Sequence, residues 1–310
     1  MYSNTLRHRI VSSTLTLPFC AIVAAIVWLL PNVRSIDLWM GLAAASAMTY
    51  VLLELVNQNQ LLRIRSRMIS ACFVVWIAAT PFVHSIGWHF ALAAALLISL
   101  FILFSAYQKE RAECEVFHAF LFLMLGSMVY PPLILTSVLL YITMGLMLRI
   151  LTFRTFMASL LGMLLPLWLT FAWLFLRDEL PLATEYLTPW LSYHIPDYAA
   201  LPLSFWVNVC FITFQLLLGY LHYYRTNFND KIRVRMCMYT FILLSLLFLA
   251  LVILLPQNMP TLMLLLIMCS APLVGHYYAL ARGWRAMTLW FLFNILLFVA
   301  LGVYNSEMAI

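Results

Sequence analysis

The chain has 310 residues, of which 65% are apolar and 9% are charged, and its formal net charge is +6. A soluble domain carries about 25% charged residues, so this composition excludes a water-soluble globular protein. Because the basic residues alternate with apolar runs instead of forming one patch, the positive charge indicates membrane topology, and we predict no nucleic-acid partner.

Apolar runs that are long enough to cross a bilayer follow one another from end to end. About 20 apolar residues in a helix span a hydrocarbon core of roughly 30 Å. The fold class is therefore predicted to be all-α, a polytopic bundle of about 11 transmembrane helices that forms one integral membrane domain over residues 1–310. The predicted spans are approximately residues 15–31, 37–56, 68–84, 88–107, 116–130, 132–148, 156–176, 201–223, 236–255, 260–280 and 286–304.

The connections between these runs divide sharply by charge. Fifteen Lys and Arg residues fall on one side, and only Arg34 and Arg177 fall on the other. Positively charged connections stay in the cytoplasm, so we predict a cytoplasmic N-terminus and a periplasmic C-terminus in the inner membrane.

Two pairs of runs leave an alternative open, the third and fourth or the fifth and sixth, and the fifth and sixth are the stronger candidates for it. The fifth is short and ends at Tyr130-Pro131-Pro132. A re-entrant hairpin would satisfy the charge rule equally well, provided that its irregular backbone is buried against protein. Two full spans are the favoured interpretation.

The longest predicted extramembrane segment is the periplasmic stretch 177–200. It is acidic, rich in aromatic residues and interrupted by proline. Apolar residues such as Leu187 and Trp190 favour a short helix that lies on the membrane surface.

A reaction at the outer face would have to use residues of the outer connections. Arg34 and Arg177 stand where basic residues are disfavoured, and a guanidinium binds phosphate in a bidentate manner. We therefore predict Arg34, Arg177 and His194 as ligand-binding residues. Asp37 and Glu179 are the candidate catalytic carboxylates, since a carboxylate beside a bound phosphate can act as a general base. A solvated, merely acidic surface is the alternative.

Two spans are interrupted by glycine and proline. Gly162 and Pro166 fall in the seventh span, and Pro272 and Gly275 fall in the tenth. Proline frees a backbone carbonyl, so these helix breaks are candidates for lining a cavity, although close helix packing explains them as well. No charged residue lies in the central third of a span, which disfavours ion-coupled transport.

No cofactor or metal site is predicted. The six cysteines are scattered without CxxC spacing, and no nucleotide-binding or hydrolase motif is present.

The segments 114–120 and 126–132 and the run from Arg149 to Pro166 lie within the fifth to seventh predicted spans, a stretch of about 60 residues. Through these segments, the middle of the chain shows a resemblance to an uncharacterised family of polytopic inner-membrane proteins from Bacteroidota. It implies the inner membrane of a Gram-negative envelope and assigns no activity or catalytic residue.

Three functions fit these observations, and the sequence leaves enzymatic status, substrate and oligomeric state open. The first is a role in cell-envelope biogenesis, in which the protein handles a lipid-linked glycan or lipid at the outer leaflet. The second is a structural or accessory subunit of a membrane complex, and the third is a non-ion-coupled transporter or flippase. The expected partners are membrane lipids, a lipid-linked saccharide or other membrane proteins.

Overall fold

A computed structural model describes residues 10–191, 196–281 and 285–308. Every regular element in these ranges is a helix, and the ranges contain no strand, as the sequence predicts. The α-helices are α1 (Thr16–Leu29), α2 (Ile36–Asn59), α3 (Met68–Ala78), α4 (Trp88–Ser105), α5 (Glu113–Val129), α6 (Leu135–Ile142), α7 (Phe153–Leu176), α8 (Leu180–Leu191), α9 (Leu203–Thr226), α10 (Ile232–Leu254), α11 (Met259–Leu280) and α12 (Arg285–Met308).

Within the described ranges, eight helical segments are long and apolar enough to cross a membrane. They coincide with the predicted spans two, four, six, seven, eight, nine, ten and eleven. The remaining predicted spans correspond to α1, α3 and α5, with 14, 11 and 17 residues. At 1.5 Å per residue, α3 is only about 16 Å long, well short of a 30 Å hydrocarbon core. The predicted total of eleven spans is therefore not confirmed, and neither is the orientation of the termini.

Prolines explain why α3 and α5 stop early. The residue before a proline is driven out of the α conformation, because the proline ring clashes with its backbone. Thr80 precedes Pro81 and has a ψ of 77°, and Tyr130 precedes Pro131 with a ψ of 90°. A 3-10 turn follows each proline. The second of these breaks, at Pro131, lies between the fifth and sixth predicted spans, where a re-entrant hairpin is the open alternative.

The described chain forms two compact units. One comprises the residues up to Phe90 together with those from Ala199 onward, and the other comprises Ala91–Tyr198. The single membrane domain over residues 1–310 stays a prediction.

Helix α11 is the centre of the first unit. It packs against α3, α9 and α10, and every residue from Leu262 to Ala279 is buried. A helix that is apolar all round must be enclosed by other helices or by lipid, and here protein encloses it. The close contact depends on Gly275, since a Cβ at this position would lie 2.5 Å from the Ile69 Cα on α3.

The second unit is organised around α5 and α7. Gly162 of α7 lies against the backbone of α5, where a Cβ would overlap the carbonyl of Phe117. The predicted short helix is present as α8, and its position on the membrane surface stays a prediction. The Tyr186 hydroxyl donates a 2.8 Å hydrogen bond to the Val129 carbonyl, and the Trp190 ring packs edge-on against Tyr130. These contacts fix α8 beside the proline break that ends α5.

Candidate functional site

An open, apolar groove lies along α1 and α2 in the first unit. Its volume is about 230 Å³, and its floor includes Val74 and Ile77 of α3. The walls are formed by Leu17, Ala21, Ala24 and Trp28 of α1 and by Leu42, Ala45, Ser46, Thr49, Tyr50 and Leu53 of α2. Several of these lining side chains are small, and they fill less space than the leucines and aromatic residues at the ends of the walls.

The groove runs lengthwise with the helices. Leu17 and Trp28 are eleven residues apart on α1, which corresponds to about 16 Å along the axis. Half of a 30 Å hydrocarbon core is about 15 Å. The groove therefore has the length of the apolar part of one leaflet.

Tryptophans fix the turn at one end of the groove. The Trp28 indole N–H donates to the Leu38 carbonyl at 3.1 Å, and the Trp39 indole N–H donates to the Val33 carbonyl at 2.7 Å. The Trp28 ring also stacks on His84, with 3.9 Å between the ring centroids. These bonds hold the α1–α2 connection, which carries Arg34, next to the Trp28 end of the groove.

Two predicted site residues lie in this connection. Arg34 is exposed in the turn, and Asp37 is exposed in the first turn of α2. A carboxylate near a helix N-terminus is stabilised by the helix dipole, so the position of Asp37 has a structural explanation as well.

The remaining predicted residues of the outer connections belong to the second unit. Arg177 is exposed, and its guanidinium lies 4.5 Å from the centre of the Trp173 ring. Glu179 is partly exposed, and its backbone N–H closes the end of α7 on the Leu174 carbonyl. His194 lies outside the described residues. The predicted roles of these three residues stay predictions.

The four predicted helix breaks are all buried at helix contacts. Gly162 and Gly275 are the positions of closest approach between α7 and α5 and between α11 and α3. Pro166 and Pro272 lie inside α7 and α11 without ending either helix. Pro166 has no backbone N–H to donate. One helical turn further along α7, the Thr170 hydroxyl donates a 3.0 Å hydrogen bond to the Pro166 carbonyl. Their role as cavity-lining residues stays a prediction.

A buried charged cluster, which sequence reasoning did not single out, lies at the other end of α2. Asp230, in the α9–α10 connection, has a side chain with no exposed surface. Arg63 Nε donates to one of its oxygens at 2.5 Å, and His276 Nε2 lies 3.3 Å from the other. Burial acts to raise the pKa of Asp230, but the hydrogen bond from His276 and the charge of Arg63 outweigh it, so this pKa lies below its ordinary value.

Neighbouring side chains extend this cluster into a charged rim. Lys231 Nζ donates to Gln60 Oε1 at 2.9 Å, and Arg233 Nη2 donates to Asn59 Oδ1 at 2.8 Å. The rim therefore ties the end of α2 to the start of α10. A sequence signal did exist, since the segment 227–235 is strongly polar, but nothing in it showed that Asp230 is buried.

A ladder of buried amides crosses the middle of the same unit. Asn208 and Asn305 exchange two hydrogen bonds of 2.8 and 3.0 Å between α9 and α12. Gln215 donates to Asn294 at 3.0 Å and accepts from the Tyr278 hydroxyl at 2.9 Å. Each amide is satisfied by another helix, which is how polar groups join helices inside a membrane.

Neither protein-family models, nor curated proteins, nor solved structures match this chain. Its function therefore has to be argued from its own residues.

Proposed function

We propose that this chain is a multi-pass inner-membrane protein that binds a lipid in the α1–α2 groove at the outer leaflet, in a step of cell-envelope biogenesis. The groove carries the proposal. It is apolar, it opens on the side surface of the helices, and it has the length of one leaflet. An extended hydrocarbon or isoprenoid chain is the occupant that such a groove fits.

Apolar lining alone would not distinguish a specific site from an ordinary lipid-facing surface. The concavity does, because burying a chain on three sides removes more apolar surface than contact with a convex helix. The Trp28 end of the groove is also held in place, because Trp28 is 2% exposed and its indole is hydrogen-bonded within the protein. A chain in the groove therefore meets a rigid wall.

The end of the groove that bears Arg34 suggests the chemistry of the headgroup. Arg34 is one of two basic residues on the predicted periplasmic side. A guanidinium pairs well with phosphate, so a lipid phosphate or a pyrophosphate-linked glycan is the proposed ligand class. Asp37, three residues further on, is the proposed general base for a transfer onto a sugar hydroxyl.

Ser46 and Ala47 provide a matched test of the groove. Both are exposed on α2, but Ser46 lines the groove and Ala47 does not. Ser46→Trp should fill the groove and lower the amount of lipid that co-purifies with the protein about tenfold, equivalent to ~1.4 kcal/mol. Ala47→Trp should leave that amount unchanged, as measured by mass spectrometry of lipid extracted from purified protein.

Equal lipid content in the two tryptophan variants would contradict the proposal. The headgroup is tested separately with Arg34→Gln, which should reduce retention of phosphate-bearing lipids and spare neutral ones. If Arg34→Gln retains both classes like the wild type, the site holds only the hydrocarbon chain and the proposed headgroup chemistry is wrong.

A further inference from the structure

A second site lies at the opposite end of α2, and it shares no residue with the groove. Asp230 and His276 are both completely enclosed, with no exposed side-chain surface. Arg63 is their connection to the outside, since 31% of its side chain is exposed. A carboxylate and an imidazole enclosed in a membrane bundle are costly, and such groups mark proton or ion pathways.

The geometry fixes the tautomer of His276. Asp230 Oδ2 can only accept a hydrogen bond while it is ionised, so the proton of the neutral ring lies on Nε2. Nδ1 then carries a lone pair, and this buried nitrogen has no hydrogen-bond partner among the residues that the structure describes. A carboxylate that orients one imidazole nitrogen and leaves the other free is the arrangement used wherever a histidine accepts a proton.

Aromatic residues of α9 enclose the ring on a second side. The ring centroids of Tyr223 and His222 lie 5.1 and 5.7 Å from that of His276. The Tyr223 hydroxyl is also buried, and it has no hydrogen-bond partner within the described ranges. Gly275 precedes His276 in the chain, and the α3 residue that it faces is Ile69, whose side chain is apolar.

The charges around the pair come from two connections and two helices. The titratable and charged side chains at the pair are Asp230 and His276 themselves, Arg63 from the α2–α3 connection, and His222 and Tyr223 from α9. On α10, Arg235 and Tyr239 lie near Tyr223, and Arg233 bonds to Asn59 of α2. The only carboxylate among them is Asp230, and it already neutralises Arg63. A proton on His276 would therefore be held by the one acid that it directly contacts.

We propose that His276 Nδ1, with Asp230 as its counter-charge, is a proton-binding site. A hydronium ion transfers its proton to the Nδ1 lone pair: one O–H bond breaks, one N–H bond forms, and the products are an imidazolium and a water molecule. The pair's complete enclosure limits the ligand to a proton. The basic end of the unit, where Arg63 reaches the surface, is the side from which the proton enters.

A proton bound at this site changes the contacts that join the α2–α3 connection, the α9–α10 connection and α11. Asp230 bonds simultaneously to Arg63 of the α2–α3 connection and to His276 of α11. Protonation turns the second of these bonds into an ion pair, which strengthens it relative to the first. The protein thus has a means of linking the position of α11 to the proton concentration on one side of the membrane.

Solid-state NMR of the full chain in lipid nanodiscs tests the site directly. With 15N-labelled histidine and 13C-labelled aspartate, the dipolar contact between Nε2 and the Asp230 carboxylate identifies the His276 signal without any substitution. The proposal expects the signal of a neutral ring protonated on Nε2 at pH 8 and the signal of an imidazolium at pH 5.

Two variants complete the experiment. His276→Gln should remove the titrating signal, whereas the control His118→Gln, at an exposed position on α5, should keep it. Asp230→Asn removes the counter-charge and should leave His276 neutral at pH 5. The proposal is overturned if the wild-type His276 signal stays neutral from pH 8 to pH 5, or if its proton lies on Nδ1 at pH 8. Neither result bears on the lipid groove.

Discussion

Helices α7 and α11 look alike in the sequence, and the structure places them in opposite surroundings. Each is a long apolar helix with one internal proline and a glycine three or four residues away. In the most apolar part of α7, 17% of the residues are buried within the protein, whereas in α11 the share is 83%. An apolar sequence therefore predicts only that the helix avoids water. It does not predict whether lipid or protein surrounds the helix.

Glycine and proline do not separate the two cases either. Gly162 and Gly275 both allow a neighbouring backbone to approach, so each helix has at least one tight contact. What separates them is the rest of the surface. Trp168 and Leu176 of α7 are 67% and 79% exposed, while the corresponding face of α11 meets α9 and α10.

The largest expected difference comes from truncating one leucine in each helix. Leu266 of α11 has no exposed surface, and Leu164 of α7 is 55% exposed. Leu266→Ala should lower the free energy of unfolding by about 2–5 kcal/mol through the cavity that it leaves. Leu164→Ala should cost less than about 1 kcal/mol, because lipid refills the space. Unfolding in mixed micelles measures both, and equal losses would contradict the assigned surroundings.

A smaller effect is expected from adding one methyl group at the close helix contacts. Gly275→Ala and Gly162→Ala should each cost about 1–3 kcal/mol, because backbone atoms must move apart. Gly302→Ala on α12 is the matched control, since its Cβ would lie 3.6 Å from the Ala79 Cα, an ordinary contact. The control should be neutral or slightly stabilising. If Gly275→Ala unfolds at the same midpoint as Gly302→Ala, the α3–α11 contact is wrong.

Removing one hydroxyl from each helix should have a still smaller effect. Tyr278→Phe on α11 breaks a buried bond to Gln215, for which about 0.6 kcal/mol is typical inside membrane proteins. Thr170→Val on α7 removes a bond within its own helix and should cost less. Thermal midpoints of the two variants compare the effects. A greater loss in Thr170→Val would reverse the comparison.

The smallest expected effect is a loss of stability at acidic pH, and it concerns Asp230, which contacts the end of α11. The folded state lowers the pKa of Asp230 below its ordinary value of 3.8, so this contribution to stability is complete above that pH. It is lost as the pH falls through the lower folded-state pKa. The gap in thermal midpoint between the wild type and Asp230→Asn should therefore narrow below about pH 4. Asp37→Asn controls for the general loss of one carboxylate, and a gap of constant width would contradict the assignment.

The helices themselves could be predicted, because the length of an apolar run and the requirement for internal backbone hydrogen bonds dictate them. The short helix α8 was also predictable, from the apolar residues Leu187 and Trp190. The number of spans was harder to predict. Pro131 ends α5 where the sequence predicted, since the fifth run was taken to stop at Tyr130. Pro81 ends α3 within the third run, which was predicted to continue to residue 84.

The buried cluster could not be predicted in the same way. Asp230 meets Arg63 and His276 across separations of 167 and 46 residues, and no local pattern specifies such a contact. In the sequence, Asp230 stands in a polar connection, where exposure is the ordinary expectation. The groove escaped prediction for a similar reason, since small residues on α1 and α2 are as typical of tight packing as of a concave surface.

Photo-crosslinking in native membranes tests the central claim, that the α1–α2 groove holds a lipid chain. A benzophenone amino acid replaces Tyr50, which lines the groove, or Ala47, which faces outward on the same helix. The account predicts one dominant lipid adduct at Tyr50 and a mixture of bulk lipids at Ala47. The same mixture at both positions would show that the groove is ordinary membrane-facing surface.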